Sequence, residues 1–211
     1  MLKGYFNNYV YYLLSLTSIL LALSGSGNGS VGLNPTESET VAIFVPSNLF
    51  RDDELNTTIR LLEKYEIPLL LISTETTAAQ GIDGLIIKPQ RLISEIKPDK
   101  FSALVLINGS GIAPYWNDST IWQQCREFAN TGRIIVAIEL APLILAKAGL
   151  LKGRQATVYP DFYSIGILKQ NGARHYFADI VQDKNIITAS KAEYTGKAIR
   201  KLAAILRTVK R

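Results

Sequence analysis

The segment from Arg133 to Gly149 constrains the fold more strongly than any other part of the sequence. An apolar run over residues 134–138 predicts a buried strand, and a helical pattern follows it after a single sharp turn. The residue at such a turn lies in the cleft above a parallel sheet. In α/β hydrolytic folds it is usually Ser or Cys, because the strained elbow exposes the attacking atom. The residue here is Glu139, so the predicted scaffold resembles an enzyme's while its reactive group is a carboxylate.

Strands and helices alternate along the rest of the chain after residue 40. Apolar runs predict further buried strands at residues 41–46, 68–73 and 101–107, with a shorter strand near 85–88. Helices are predicted from a cap at Asp52 or Asp53 to about Tyr65, over residues 119–130, up to Lys147 and at the C-terminus. Residues 181–188 predict a hairpin. This alternation predicts an α/β fold, a three-layer sandwich whose flavodoxin-like, mostly parallel sheet carries helices on both faces.

Polar residues follow three of the predicted strands. Ligands of parallel sheets bind at the carboxyl ends of the strands, so these residues are expected to line one cleft. The candidate cleft residues are Arg51, Asp52, Asn108, Gly109, Ser110, Glu139 and Leu140. Glu139 is the candidate catalytic residue among them. Cys125 and His175 are the only cysteine and histidine of the chain, and two such ligands cannot make a zinc site alone, so neither a metal nor a cofactor is predicted.

Five blocks of the sequence resemble the DJ-1/PfpI family, part of the class I glutamine-amidotransferase-like group. They span nearly all of the chain from residue 41 to residue 209. The block from Ala148 to Pro160 is the most specific, because it matches in letters rather than only in pattern. The resemblance implies the flavodoxin-like fold, an oligomer, and a cysteine nucleophile at the elbow that serves peptidase, deglycase or glyoxalase activities. The five blocks are residues 50–55, 99–109, 136–142, 148–160 and 183–189.

The departures from the family pattern fall on its reactive residues. The family typically carries Ala-Ile-Cys-His-Gly-Pro at the elbow, whereas residues 137–142 read Ala-Ile-Glu-Leu-Ala-Pro. The resemblance therefore implies that Glu139 stands in place of the cysteine and Leu140 in place of the histidine. The family motif Phe-Glu-Asp-x-Glu-Leu supplies a buried glutamate that touches the cysteine, and Arg51 occupies that position here. We expect the cysteine chemistry of the relatives to be absent.

Two of these changes are chemically linked. Two adjacent glutamates would require one of them to be protonated, whereas arginine can pair with a carboxylate through two hydrogen bonds. We therefore expect Arg51 and Glu139 to form an ion pair across the cleft. Three roles remain open for Glu139: a structural ion pair, a catalytic carboxylate acting as acid, base or nucleophile, and a ligand-binding group. In the last role, Asp52, Asn108 and Ser110 would help Glu139 to bind a small polar ligand or a cation. An adjacent cation weakens a carboxylate as a base, so we favour a non-catalytic ligand-binding or interaction module over an enzyme.

The N-terminal segment has the layout of an export signal. Lys3 precedes an apolar run from Tyr9 to Leu23, and small residues follow. We predict a signal peptide or an uncleaved signal anchor over residues 1–25, a flexible linker over residues 26–40 and the folded domain over residues 41–211. A buried N-terminal helix is the alternative. Both membrane interpretations bring the leader into contact with a membrane and place the domain outside the cytoplasm.

The positive charge of the chain is local. The net charge is +5, but residues 191–211 carry seven basic residues and one acidic residue, so the remainder is slightly acidic. The basic residues are expected on the solvent face of a last helix, with an anionic lipid or nucleic-acid surface as the alternatives. No aromatic residue follows Tyr194, which disfavours nucleic acid, and no nucleic-acid partner is predicted. Because Cys125 is the only cysteine, a disulfide-stapled fold is excluded.

Overall fold

The computed structural model describes residues 39–209. The predicted leader over residues 1–25, and all but the end of the linker over residues 26–40, lie outside the described residues. Among the helices of residues 39–209, none is both long enough and apolar enough to cross a membrane.

Twelve strands can be assigned in residues 39–209, and most belong to one large sheet. That sheet has seven strands in the order β11-β12-β8-β7-β1-β3-β6, and the pairing of β11 with β12 is antiparallel while the other pairings described in it are parallel. The strands are β1 (Val41–Phe44), β2 (Asn48–Phe50), β3 (Leu69–Ser73), β4 (Ala79–Gly81), β5 (Ile86–Ile87), β6 (Arg91–Leu92), β7 (Ala103–Leu106), β8 (Ile134–Ile138), β9 (Gln155–Ala156), β10 (Arg174–His175), β11 (Ile180–Asp183) and β12 (Ile186–Ala189).

The central strands are buried on both faces, as their continuous apolar sequences predict. Every residue of β1 and β7 is fully buried. Side chains alternate between the two faces, so Ala42 and Phe44 join one core cluster while their neighbours Val41 and Ile43 face the other layer. The predicted α/β fold with helices on both sides of a mostly parallel sheet is confirmed.

Five α-helices cover this sheet within the described residues. They are α1 (Asp52–Lys64), α2 (Ser119–Asn130), α3 (Pro142–Lys147), α4 (Phe162–Gln170) and α5 (Thr195–Val209). Helices α1 and α5 pack together on one side, and α2 packs with α3 and β8 on the other. The side chain of Asp118 caps α2 by accepting hydrogen bonds from Thr120 and Ile121, and the helix has the bounds predicted for it.

Some elements differ from the prediction. Helix α4 was not predicted, because its apolar residues do not lie on one face and Phe162 and Tyr163 are exposed. The small sheet of β2, β4 and β5 was largely missed, since strands of two or three residues are too short to show a period. The cap predicted at Asp52 or Asp53 is wrong, because the N-cap residue of α1 is Arg51 and no side chain caps that helix.

Candidate functional site

Glu139 forms a strained elbow between β8 and α3. Its φ angle is +58°, a left-handed conformation that costs a residue with a side chain roughly 1–2 kcal/mol. Two backbone hydrogen bonds of 2.9 Å hold it, one from Glu139 N–H to the carbonyl of Ala189 and one from Tyr159 N–H to the carbonyl of Glu139. Because these neighbours fix the backbone on both sides, the strained conformation persists and the carboxylate lies at the carboxyl end of β8.

Arg51 lies across the cleft from Glu139, as expected. Its Nη1 atom is 3.5 Å from Oε2 of Glu139, while Nε lies 3.2 Å from Oδ1 of Asp53. A second guanidinium nitrogen donates to Asp53 at 3.4 Å. Arg51 therefore donates two hydrogen bonds to Asp53 and none to Glu139, with which it forms the ion pair. Hydrogen bonding to Asp53 is the main reason that the pKa of Arg51 is raised, and the charge of Glu139 makes a smaller contribution.

A second carboxyl group, that of Glu54, lies buried beside this pair. Glu54 is 1% exposed, and its Oε1 atom accepts a hydrogen bond of 2.7 Å from Asn108 N–H. Burial raises the pKa of Glu54 to about 8, and the negative charge of Glu139 adds to that increase. Glu54 is therefore mainly a neutral carboxylic acid at pH 7, because the charged form is costly in this environment.

Glu54 was missed by the sequence interpretation. The sequence interpretation placed only Arg51 at the position of the family's buried glutamate, whereas Glu54 of the same motif provides a buried carboxyl group next to Arg51 and Glu139. A signal was present in the helical period: Glu54 precedes Thr58 by one turn, and both lie on the buried face of α1 with Leu55. An acidic residue in that stripe had to be neutral or hydrogen-bonded.

Asn108 and Gly109 follow β7 in the chain and contact the residues at the start of α1. The carbonyl of Asn108 accepts from Arg51 N–H at 2.8 Å, and Asn108 N–H is the group bound by Glu54. Gly109 has a φ angle of +147°, and a Cβ atom at this position would overlap the carbonyl oxygen of Leu49. A glycine is therefore required here, and it lets the two segments approach closely enough to place Arg51 and Glu54 beside the elbow.

The other candidate residues lie in different environments. Asp52 is buried, and its two carboxylate oxygens accept from Asp83 N–H at 3.1 Å and from Leu85 N–H at 2.7 Å, so it fixes the loop after β4. Ser110 is exposed at the start of a 3₁₀ segment. Leu140 is half-buried and packs against the core. The structure thus groups Arg51, Glu139 and Asn108 with Glu54, while Asp52 has a structural role.

Unpartnered oxygen atoms mark the centre of the site. Oε2 of Glu54 and Oδ1 of Asn108 are buried atoms with no hydrogen-bond partner among the described residues. Oε2 of Glu139 is also buried and accepts no hydrogen bond there, but it is paired with Arg51 at 3.5 Å. A neutral Glu54 can donate its proton to one acceptor, and N–H or O–H groups of a ligand can serve the others. In residues 39–209, no cluster of three or more His, Cys, Asp or Glu side chains is arranged to hold a metal ion.

Cys125, the other candidate nucleophile, lies in α2 and not at the elbow. It is fully buried in α2, and burial raises the pKa of its thiol to about 12. A thiol with such a pKa carries almost no thiolate at neutral pH, so Cys125 is a core residue rather than a nucleophile.

Comparison with known proteins agrees with this architecture. The model of the DJ-1/PfpI family matches residues 39–204. An uncharacterized protein of Methanocaldococcus jannaschii is 33% identical over 162 residues, which cover 76% of this chain and 78% of that protein. A deglycase of Pyrococcus horikoshii is 26% identical over 147 residues, which cover 70% of this chain and 87% of the deglycase.

Solved structures lead to the same fold. The crystal structure of a ThiJ/PfpI domain protein from Brachyspira murdochii superposes with a TM-score of 0.77 at 20% identity, covering 81% of this chain and 98% of that one. The match of the family model to residues 39–204, together with the parallel sheet and its elbow, shows that the chain belongs to the DJ-1/PfpI family.

Proposed function

We propose that this protein is an exported, non-catalytic member of its family whose cleft binds a small polar ligand or serves an interaction. The observation that carries the proposal is the side chain at the elbow. Members of the family typically have a cysteine at this position, whereas the carboxylate of Glu139 lies 3.5 Å from the guanidinium group of Arg51 here. A carboxylate held by a cation is a poor replacement for a thiolate nucleophile.

The surroundings of the elbow also favour binding over acyl-transfer chemistry. Backbone N–H groups of Gly109 and Leu140 are the donors that would stabilise an oxyanion. A negative Glu139 beside them repels such an anion. The same carboxylate, together with the unpartnered oxygens of Glu54 and Asn108, attracts a ligand that carries hydrogen-bond donors.

One observation favours the alternative, an enzyme of the hydrolase or lyase type that uses Glu139 as acid, base or nucleophile. Glu54 is a neutral acid at pH 7 because burial raises its pKa to about 8. A neutral acid beside a second carboxyl group is an arrangement that many enzymes use to divide proton donation from proton acceptance. This alternative requires Glu139 to be reached by a substrate, and its side chain is 13% exposed.

Turnover assays separate the two functions. The purified full-length protein would be incubated with methylglyoxal, glycated peptides and unmodified peptides, beside the variants Glu139→Ala and Glu63→Ala. Glu63 is an exposed glutamate of α1, so its variant controls for the loss of a carboxylate elsewhere. We expect no turnover above the buffer rate from any of the proteins. Turnover that disappears in Glu139→Ala and persists in Glu63→Ala would establish the enzyme instead.

Export is supported by the composition of residues 1–25, in which Lys3 is followed by an apolar run and then by small residues. Cell fractionation with N-terminal sequencing of the mature protein tests it. A protein that begins near residue 25 indicates a cleaved signal peptide, and an intact N-terminus in the membrane fraction indicates an anchor. Recovery of the intact chain from the cytoplasm would contradict export.

We propose that the partner of this protein is a second copy of the same chain. Three exposed apolar side chains on or beside the small sheet support it, because grouped apolar surface commonly marks an interface. Sedimentation of the purified protein tests the proposal, and a monomer at all concentrations would contradict it. The three residues are Leu49, Ile82 and Ile86.

A further inference from the structure

A separate pocket of about 170 Å³ opens beside the elbow. Pro160 and Ser190 contribute to its lining, and they directly follow Tyr159 and Ala189, the two residues whose backbones are hydrogen-bonded to Glu139. The pocket is thus built from the segments that hold the elbow, but its lining does not include Glu139, Arg51 or Glu54. Its volume corresponds to roughly six water molecules, enough for a small organic molecule.

One wall of the pocket is apolar and aromatic. Val158 and Pro160 contribute to it, together with Phe177, which is 82% exposed. The ring of Phe177 stands edge-on to the ring of His175 with centroids 4.5 Å apart. A phenyl ring that is fixed by a neighbour yet open to solvent offers a flat surface against which another planar group can pack.

The rest of the lining is largely polar, and two of its groups are available to a ligand. The Nδ1 atom of His175 is buried and has no hydrogen-bond partner among the described residues. The ammonium group of Lys191 lies 3.8 Å from Glu193 in an ion pair whose side chains are 46% and 60% exposed. Exposed pairs of this kind are weak, so an anion in the pocket can replace Glu193 as the partner of Lys191.

The pocket also contains a carboxylate, that of Asp179, whose charge is already balanced. Lys197 donates a hydrogen bond to Asp179, and this bond is the main reason that the pKa of Asp179 is lowered. Asp179 therefore contributes little repulsion toward an incoming anion. Lys197 is thus hydrogen-bonded to Asp179, whereas Lys191 is held in the weak ion pair with Glu193.

We propose that this pocket binds a small planar carboxylate, with the carboxylate group held by Lys191 and His175 and the flat apolar body packed against Phe177. The site is distinct from the cleft at Glu139 and does not depend on the function proposed for that cleft. Burial lowers the pKa of His175, and the charge of Lys169 adds to this effect. The imidazole is therefore neutral at pH 7 and acts as a hydrogen-bond donor rather than as a second cation.

Titration with para-fluorobenzoate, followed by fluorine NMR on the full-length protein, tests this assignment. We expect saturable binding that weakens by roughly fivefold in Lys191→Met, because one exposed cation contributes about that factor to the binding of an anion. His175→Phe retains the ring against Phe177 and is expected to weaken binding by a similar factor. Glu193→Gln frees Lys191 and is expected to strengthen binding by about twofold.

Two controls make the result specific. Lys88→Met removes the same charge from an exposed residue after β5, outside the lining of the pocket, and is expected to leave the dissociation constant unchanged. The neutral analogue para-fluorobenzamide is expected to bind equally to the wild-type protein and to Lys191→Met. The proposal is overturned if para-fluorobenzoate does not saturate, or if Lys191→Met and Lys88→Met bind it equally. Binding that is lost in Arg51→Met but retained in Lys191→Met would place the anion at the elbow and overturn it as well.

Discussion

The two sides of the elbow hold their charged groups in opposite ways. On the side of β2 and α1, Asp52 and Glu54 are 6% and 1% exposed, and both accept hydrogen bonds from backbone N–H groups. On the side of the pocket, Lys191 and Glu193 are exposed and form an ion pair of 3.8 Å with each other. A buried charge must be neutralised or hydrogen-bonded for the chain to fold, whereas an exposed charge can exchange its partner for a ligand.

This difference predicts that substitutions on one side of the elbow mainly change stability and that substitutions on the other side mainly change binding. Substitutions around Glu54 and Gly109 are expected to change the free energy of unfolding, because they alter buried polar groups and closely packed backbone. Substitutions around the pocket are expected to change binding and its salt dependence, while the fold remains almost equally stable. Four changes test this division, beginning with the largest effect.

Gly109→Ala is expected to lower the free energy of unfolding by about 4 kcal/mol or to prevent folding, because the added methyl group overlaps backbone atoms and the φ angle disfavours a side chain. The overlap is with the carbonyl oxygen of Leu49 and the backbone of Phe50. Gly166→Ala is the matched control, since its Cβ atom would meet nothing within 4 Å and lies in a helix, where alanine is favoured. Denaturant unfolding of both variants gives the comparison, and equal stabilities would show that the approach of β2 to β7 is not tight.

Glu54→Gln is expected to be more stable than the wild-type protein as the pH rises. The pKa of Glu54 is raised from 4.5 to about 8 in the folded state. Between these values the unfolded chain ionises while the folded protein keeps its proton, so stability falls with rising pH. The glutamine side chain does not ionise in this pH range, and it keeps an oxygen that can accept the hydrogen bond from Asn108 N–H.

The advantage of Glu54→Gln should therefore grow between about pH 5 and about pH 8, reaching on the order of 4 kcal/mol. Chemical denaturation at a series of pH values measures it. Glu63→Gln, at an exposed position of the same helix, is the control and should follow the wild-type protein throughout. An advantage of Glu54→Gln that is independent of pH would show that Glu54 does not hold a proton in the folded state.

The elbow itself allows a smaller effect to be isolated. Glu139→Gly and Glu139→Ala both remove the carboxylate, but only glycine relieves the left-handed backbone, with its φ angle of +58°. Glu139→Gly is therefore expected to be about 1 kcal/mol more stable than Glu139→Ala. In the regular helix α1 the order should reverse, so that Glu63→Ala is more stable than Glu63→Gly by a similar amount. Thermal unfolding of the four variants decides whether the strain at Glu139 is real.

The same division explains what the sequence could predict. The strands β1, β7 and β8 were located because burial on both faces requires a continuous apolar run, which is visible in the letters alone. The elbow at Glu139 was located for the same reason, since a buried strand must end before an amphipathic helix begins. Arg51 was placed in the site through the family motif, and its contact with Glu139 was confirmed at 3.5 Å.

The parts that were missed depend on contacts between distant segments. The role of Glu54 arises because Asn108, which is 54 residues away in sequence, offers it a backbone N–H, and no local pattern carries that information. Helix α4 was not predicted because Phe162 is exposed to solvent, which departs from the usual separation of apolar and polar faces. The pocket beside the elbow could not be inferred, since its lining combines the segment after β9, the end of β10 with the residues that follow it, and the segment after β12.

Lys197→Met is expected to have the smallest effect on stability and a measurable effect on binding. The ion pair of Lys197 with Asp179 is exposed, with side chains that are 52% and 45% accessible, so its loss should change Tm by less than about 2 °C. The same loss removes the main partner of Asp179 and makes the surroundings of the pocket more negative. The affinity for para-fluorobenzoate should therefore fall by about twofold at low salt, and the difference from the wild-type protein should vanish at about 0.5 M sodium chloride, where exposed charges are screened. A large decrease in Tm with unchanged binding would mean that charges on this side of the elbow serve the fold, as those around Glu54 do, and the contrast between the two sides would be lost.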